Sequence, residues 1–380
     1  MTRRRKIAYC IPALYNSGGM ERVLSLKANC LVDNGYDVHI ITTDQHGRQP
    51  FFPLDPRVTL HDLAIGYEDN NGRCFLSKLV GFPRRYLLHR RRLKSALNAI
   101  RPDLTISLFG LESGFLPSIE AGGKKVLEVH FSRFKRLQYG RRGLWQLADR
   151  WRFRGDGHAV RKYDRFVVLT QEDLTYWPAS DNVCVIPNPR SFSCNQPAEL
   201  QKKRVVAIGR LCHQKGFDRL IDAWSKVSGR FPDWRLEIYG SGPDREALNE
   251  QIRRLGLTAS TKVCEPVADV KSLMLNSSIL AMTSRYEGLP MAILEAQACG
   301  LPTVAMECKC GPRDLLGSSG AGLLVSDGDV EGFATALYSL MDDPELRKQM
   351  GNRAFRFSER FSTESVMAQW TRLFDSLLNE

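Results

Sequence analysis

Four side chains in the second half of the chain have the types and spacing to handle a phosphate ester and the groups around it. Arg210 and Lys215 share the stretch Gly209-Arg210-Leu211-Cys212-His213-Gln214-Lys215-Gly216. Arg offers a forked donor and Lys a mobile point charge, a pair suited to a diphosphate. Glu287 and Glu295 share the stretch Glu287-Gly288-Leu289-Pro290-Met291-Ala292-Ile293-Leu294-Glu295. Two carboxylates at the carboxyl end of a strand face the crevice where open α/β sheets bind ligands. Taken alone, the cations also read as a charged surface turn, and the carboxylates as one solvent-facing Glu in a turn and another on a helix face.

The elements that would position these residues are legible around them. Ser278 to Thr283 reads as a short buried strand. Glu287-Gly288 turns the chain, Pro290 suits a first helical position, Met291 to Cys299 form an apolar helix and Gly300 ends it. Arg204 to Gly209 is a strand, and a helix runs from Phe217 to Val227, so Arg210 and Lys215 fall in one strand-to-helix loop. Leu236 to Tyr239 is a further strand, closed by the glycine turn that contains Gly242, with a helix from Asp244. Thr303 to Ala305 and Leu323 to Val325 are strands, and Gly311-Pro312-Arg313-Asp314 opens a helix between them.

The first half begins as βαβ. Lys6 to Ile11 is a strand, Met20 to Asn34 a helix closed by Gly35, and Asp37 to Thr43 the second strand. Gly18-Gly19 then stands at a helix N-terminus, where bare N–H groups and the dipole favour an anion; a plain turn is the other reading. The stretch is neither G-x-G-x-x-G nor a P-loop. Asp103 to Phe109, Lys125 to Val129, Arg165 to Thr170 and Val183 to Ile186 read as strands, and His130 ends the second of these.

A chain of 380 residues is long for one core, which predicts two domains. No run of 18 apolar residues occurs, so a transmembrane helix is not expected. The ten cysteines show no C-x-x-C spacing, and Cys308 with Cys310 is too few ligands for a zinc site. They read as free thiols of a reducing cytoplasm. The net charge of +12 is uneven: residues 1–190 carry 31 Lys+Arg against 18 Asp+Glu, and residues 191–380 carry 23 against 24. The first half is the part that meets something anionic. Its basic residues gather in two stretches with aromatic or aliphatic side chains between them. One holds Arg84, Arg85, Arg90, Arg91 and Arg92; the other holds Arg133, Arg136, Arg141 and Arg142 with Trp145 and Trp151. Such mixtures suit an anionic membrane surface, at roughly 1 kcal/mol per cation. A solvated helix face is the alternative. RNA binding is disfavoured because no nucleic-acid module is present.

The setting Glu-Gly-Leu-Pro, Leu-Glu-Ala, Ala-Cys-Gly-Leu-Pro around Glu287 and Glu295 resembles the signature of the retaining glycosyltransferases of family 4. Gly-Gly-Met-Glu-Arg-Val at Gly18, His130-Phe131-Ser132, Ile186-Pro187-Asn188 and Gly-Arg-Leu with Lys-Gly at Arg210 and Lys215 resemble further family motifs. The resemblance implies an α/β, GT-B fold: two doubly wound Rossmann-like parallel-sheet domains facing across a cleft. They would span residues 1–188 (acceptor side) and 189–362 (nucleotide-sugar side), with a last helix, 363–380, crossing back to the first domain.

It implies a nucleotide-sugar donor, a UDP-sugar in particular, and transfer with retention to a lipid-linked or oligosaccharide acceptor in surface polysaccharide assembly. Arg210 and Lys215, aided by Gly18 and Gly19, would hold the diphosphate. Glu295 would take the ribose hydroxyls and Glu287 the sugar hydroxyls. Gly242, Gly288, Leu289 and Pro290 would line the donor, and His130 would position the sugar. No cofactor or metal, no nucleic acid and a cytoplasmic place on the inner membrane face are expected. Cys264-Glu265-Pro266 stands where family members carry Phe-x-Gly against the base, which leaves the base open. A nucleotide-sugar epimerase of the same fold and a non-catalytic polyanion-binding protein are the alternatives.

Overall fold

A computed structural model describes the backbone of residues 4–67, 75–134 and 144–379, and the side chains within them except those of 75–80, 144–148, 151 and 152. The chain divides into two compact units. Unit 1 comprises Met1–Leu169, Leu174–Pro187 and Val366–Glu380; unit 2 comprises Thr170–Asp173 and Asn188–Ser365.

Unit 1 is built on strands β1 (Lys6–Ile11), β2 (Asp37–Thr42), β3 (Thr59–Asp62), β4 (Leu104–Ser107), β5 (Lys124–Glu128), β6 (Arg165–Val168) and β7 (Val183–Val185). Among the described residues they form one sheet in the order β3-β2-β1-β4-β5-β6-β7, every pairing parallel. Helices α1 (Gly19–Asp33), α2 (Phe75–Ile100) and α3 (Leu144–Ala159) connect them; α4 (Gln171–Tyr176) follows β6. The strands alternate their side chains between two cores, as the pleat requires. Ile7, Tyr9 and Ile11 of β1 join a cluster with Leu24 and Leu31 of α1, while Ala8 and Cys10 join the opposite cluster with Leu93 and Leu97 of α2. Both faces are covered, so β1, β2, β4 and β5 are near-continuous buried runs. β3 is the exception: it is an edge strand exposed along most of its length, and its sequence gives no apolar run to find it by.

Unit 2 repeats the plan with β8 (Arg204–Ile208), β9 (Arg235–Tyr239), β10 (Thr261–Cys264), β11 (Ile279–Met282), β12 (Thr303–Glu307) and β13 (Gly322–Ser326). Its connecting helices are α5 (Phe217–Val227), α6 (Arg245–Arg254), α7 (Val270–Leu275), α8 (Met291–Ala298), α9 (Pro312–Leu316), α10 (Val330–Asp342) and α11 (Pro344–Phe357). The sheet runs β10-β9-β8-β11-β12-β13, again parallel among the described residues. Consecutive strands wind outward in one direction from β8, and the chain then returns to lay β11 on its other side. That reversal is a topological switch point, the place at the carboxyl ends of the strands where open α/β sheets bind ligands. Pro290 stands one residue ahead of the first turn of α8 rather than within it, since its ψ of 105° is extended.

The last helix, α12 (Thr363–Asn379), belongs mostly to unit 1. Val366, Met367, Trp370, Phe374 and Leu377 recur at helical spacing, all are buried, and they join the core formed by β1 and α1. At about 1.5–3 kcal/mol for each large apolar side chain removed from water, this stripe is a substantial part of unit 1 stability.

Candidate active site

In unit 2 the switch point lies between β8 and β11, and the two loops that leave them are fastened together. The Arg285 N–H donates to the Gln214 carbonyl at 2.7 Å, and Gln214 Nε2 donates to the Tyr286 carbonyl at 3.0 Å. Thr283 Oγ1 donates to the Gly216 carbonyl at 2.8 Å. The Arg285 guanidinium donates to the His213 carbonyl at 2.7 Å and forks onto Asp218 at 2.9 and 2.5 Å. Burial would raise the Asp218 carboxyl, but Arg285 outweighs it and holds the group below its ordinary range. Gly216 makes the fit possible: its φ is +63°, and a Cβ there would come within 2.1 Å of the Thr283 carbonyl oxygen.

This fastening sets Lys215 against Glu287. Lys215 Nζ lies 2.6 Å from Glu287 Oε1, with side-chain exposures of 21% and 9%. The Glu287 backbone is fixed as well, donating to the Lys309 carbonyl at 3.0 Å and accepting from the Cys310 N–H at 3.1 Å. Arg210 stands exposed on the same loop, 3.4 Å from Gln214 Oε1. Glu295, buried on α8, accepts a 2.7 Å bond from Ser191 Oγ. Gly288, Leu289 and Pro290 lead into α8, whose start carries no side-chain cap. Gly242 packs against the Arg210 loop, where a Cβ would meet the Leu211 carbonyl oxygen at 2.3 Å. Arg210, Lys215 and Glu287 are thus joined through one bonded loop pair, with Gly242 beneath Leu211. Glu295 bonds elsewhere, to Ser191.

In unit 1, Gly18 caps α1 and Gly19 begins it. The Glu21 carboxylate fills the space beside Gly18, where a Cβ would come within 2.2 Å of it. A carboxylate of the first turn thus lies beside this helix start. His130, two residues beyond β5, places Nε2 3.1 Å from Glu128 Oε1. Glu128 in turn is paired with Lys27 of α1, at 2.8 and 2.6 Å to its two oxygens. Lys27 and Glu128 side chains are each 1% exposed. The Lys27 ammonium lies 3.5 Å over the Trp370 ring of α12. Burial alone would raise the Glu128 carboxyl, but Lys27 and His130 outweigh it and hold it down at about 2. Burial pulls the Lys27 ammonium down, and Glu128 opposes that pull.

The first basic stretch lies on α2. Arg84, Arg90 and Arg91 are exposed there, as are Leu87 at 64% and Phe82. Arg85 is half-buried, and the Arg92 guanidinium donates to the backbone carbonyls of Leu63 and Ala64 at 2.6 and 2.8 Å. In the second stretch Arg133 is half-buried, its guanidinium over the rings of Phe153 and Trp177. Arg136, Arg141 and Arg142 lie outside the described residues, and Trp145 and Trp151 are described only as parts of α3.

Lys27, Glu128, Gln214, Ser191 and the Arg285–Asp218 pair are not among the site residues that the sequence motifs single out. Lys27 and Glu128 carried a detectable signal: each is a charge inside an otherwise apolar stretch, which a fold tolerates only with a partner. Nothing local marks Ser191. Among the described residues no group of three or more His, Cys, Asp or Glu could hold a metal ion, and no helix is long and apolar enough to cross a membrane.

Two family models match adjoining parts of the chain. The one described as Glycosyltransferase Family 4 matches residues 17–191, and the one described as Glycosyl transferases group 1 matches residues 192–357. The amylovoran biosynthesis glycosyltransferase AmsD of Erwinia amylovora is 29% identical over 388 residues, covering 97% of this chain and 99% of that one. A Campylobacter jejuni enzyme is 25% identical over 379 residues, covering 98% and 99%. It is named GalNAc-α-(1→4)-GalNAc-α-(1→3)-diNAcBac-PP-undecaprenol α-1,4-N-acetyl-D-galactosaminyltransferase. Among solved structures, TarM of S. aureus in complex with fondaparinux, α-GlcNAc-glycerol and UDP superposes with a TM-score of 0.75 at 16% identity, covering 97% and 99%. With two parallel sheets of this winding and matches across both halves, the chain has the GT-B fold and belongs to the group 1 glycosyltransferases.

Proposed function

We propose that this glycosyltransferase moves a sugar from a UDP-sugar, with retention at the anomeric carbon, to a lipid-linked saccharide in surface polysaccharide assembly. The observation that carries the reading is the Lys215–Glu287 pair at 2.6 Å, with Arg210 on the same loop, at the switch point of the unit 2 sheet. Cations at that place offset charge on a departing diphosphate. In the absence of donor, Glu287 keeps Lys215 in position; on binding, the diphosphate takes over the ammonium and frees the carboxylate for sugar hydroxyls. Gly18, Gly19 and Gly242 line the donor, as do Gly288, Leu289 and Pro290. Glu295 takes the ribose hydroxyls and His130 positions the sugar.

In the transfer itself the acceptor hydroxyl oxygen bonds to the anomeric carbon on the side that the diphosphate leaves. The bond from that carbon to the phosphate oxygen breaks, and the acceptor proton passes to the departing diphosphate. Two cations from the protein serve the role a divalent ion has elsewhere, so added EDTA leaves the rate unchanged. The names of the Erwinia and Campylobacter relatives support the polysaccharide and undecaprenol-linked acceptors, and the UDP in the TarM complex supports the donor. Exposed Arg84, Arg90 and Arg91 beside Leu87 support a place on the inner face of an anionic membrane.

Thermal melting with a panel of UDP- and GDP-sugars tests the donor. A ligand that binds only the folded state at about 100 times its Kd adds about 2.7 kcal/mol. Stabilisation by UDP-sugars, followed by NMR of the product showing the donor's anomeric configuration, is expected. Inverted product, or stabilisation by GDP-sugars alone, overturns the reading. Sugar interconversion without acceptor turns it into the epimerase. Co-sedimentation with anionic liposomes, lost on neutralising Arg84, Arg90 and Arg91, tests the membrane.

A further inference from the structure

One buried ion pair of unit 1, Lys27 with Glu128, ends on the ring of His130. Nε2 of His130 faces the Glu128 carboxylate at 3.1 Å. An ionised carboxylate accepts only, so Nε2 must carry a proton. In the neutral ring Nδ1 is then an acceptor, and Nδ1 is buried without a hydrogen-bond partner. The His130 side chain is 6% exposed, so this atom is a buried polar group without a partner, as is the Tyr9 hydroxyl nearby. Buried polar atoms are rarely left so unless something else is to meet them.

Lys27 and Glu128 are bonded to each other. Lys27 gives hydrogen bonds to both Glu128 oxygens and lies against the faces of Trp370 and Tyr9, 3.5 and 5.4 Å from the ring centres. Glu128 takes three of its bonds from Lys27 and His130. A strand explains the alignment: residues i and i+2 point to the same side, so Glu128 and His130 share one face as the chain leaves β5.

We propose that Glu128 and Lys27 are positioning residues for His130: the carboxylate, itself held by the ammonium, takes the Nε2 proton and so presents Nδ1 as the acceptor for a hydroxyl of the donor saccharide. Lys27 balances the buried carboxylate, and Trp370 of α12 shields the pair from water. The last helix thereby supports the histidine through two intervening side chains. The inference rests on His130 meeting the sugar, as in the transfer reaction above.

The test uses the full chain. Glu128→Gln alone strands the Lys27 charge and could unfold unit 1, so the informative variant is Lys27→Met/Glu128→Gln, which buries no lone charge. It is expected to stay folded, with kcat lowered about 10- to 100-fold and the donor KM within about twofold. The same double change in a His130→Ala background is expected to lower kcat no further, because the three side chains act as one unit. Independently of turnover, ¹⁵N spectra of the unliganded protein at pH 8 should show the His130 proton on Nε2, with that preference lost in the double variant.

A kcat within about twofold of the parent, or an equal loss in the His130→Ala background, overturns the proposal. So does a proton resting on Nδ1 in the parent. If no sugar donor is turned over by the parent protein, the transfer reading fails, and the ring spectra still decide whether Glu128 sets the histidine.

Discussion

In unit 2 the cations at the switch point stand on a loop, Arg210 exposed and Lys215 21% exposed. In unit 1 a cation within α1, Lys27, is 1% exposed against Trp370. The two arrangements use charge differently. A partly exposed ammonium held by one carboxylate keeps some hydration and can change partners, which a diphosphate-binding group must do. A buried ammonium bonded to both oxygens of a carboxylate cannot change partners without a large desolvation cost. Its worth lies in fixing geometry. The contrast separates side chains that meet ligand from those that hold another side chain still.

Breaking the buried pair should give the largest effect. Glu128→Ala leaves Lys27 charged and unpaired, and is expected to destabilise unit 1 by about 3–5 kcal/mol in denaturant unfolding. A loss under about 1 kcal/mol would mean the two units do not differ in this way. Lys215→Ala comes next: kcat should fall about 100- to 1,000-fold, roughly 3–4 kcal/mol of transition-state stabilisation, with the melting temperature nearly unchanged. A large loss of stability there would assign Lys215 to the scaffold.

The acid limb of the stability curve sharpens the same contrast. Glu128 has a folded-state carboxyl at about 2, below its ordinary 4.5, so the unfolded chain binds the extra proton first. Its contribution is complete above about pH 4.5 and is lost as pH falls towards 2. Lys27, His130 and Tyr9 are the groups facing it. Lys27→Met/Glu128→Gln should flatten this part of the pH profile. The smallest effect belongs to the loop fastening. Asp218→Asn weakens a partly exposed pair with Arg285, worth at most about 1 kcal/mol. A rise of a fewfold in donor KM with unchanged kcat is expected from looser loops.

Much of the fold was legible because parallel strands covered on both faces must be apolar throughout. β1, β4 and β11 stand out as such runs between glycines and prolines, and their succession with helices implies doubly wound sheets. β3 escaped because an exposed edge strand has no such run, and α2 because its residues from Arg84 to Lys94 are mostly charged. In the site, Arg210, Lys215 and Glu287 could be named from local motifs, since each sits where a strand gives way to a helix.

Their partners could not be read that way. Lys27 and Glu128 are 101 residues apart, Ser191 and Glu295 are 104 apart, and Lys215 and Glu287 are 72 apart. Periodicity along the chain determines which segments are strands and helices, because burial on one or two faces repeats with the backbone geometry. Which charge meets which is decided by the order of strands in the sheet. That order brings β8 beside β11, and it sets α1 and α12 over β5, where a lysine and a tryptophan from distant segments meet the carboxylate that holds one histidine.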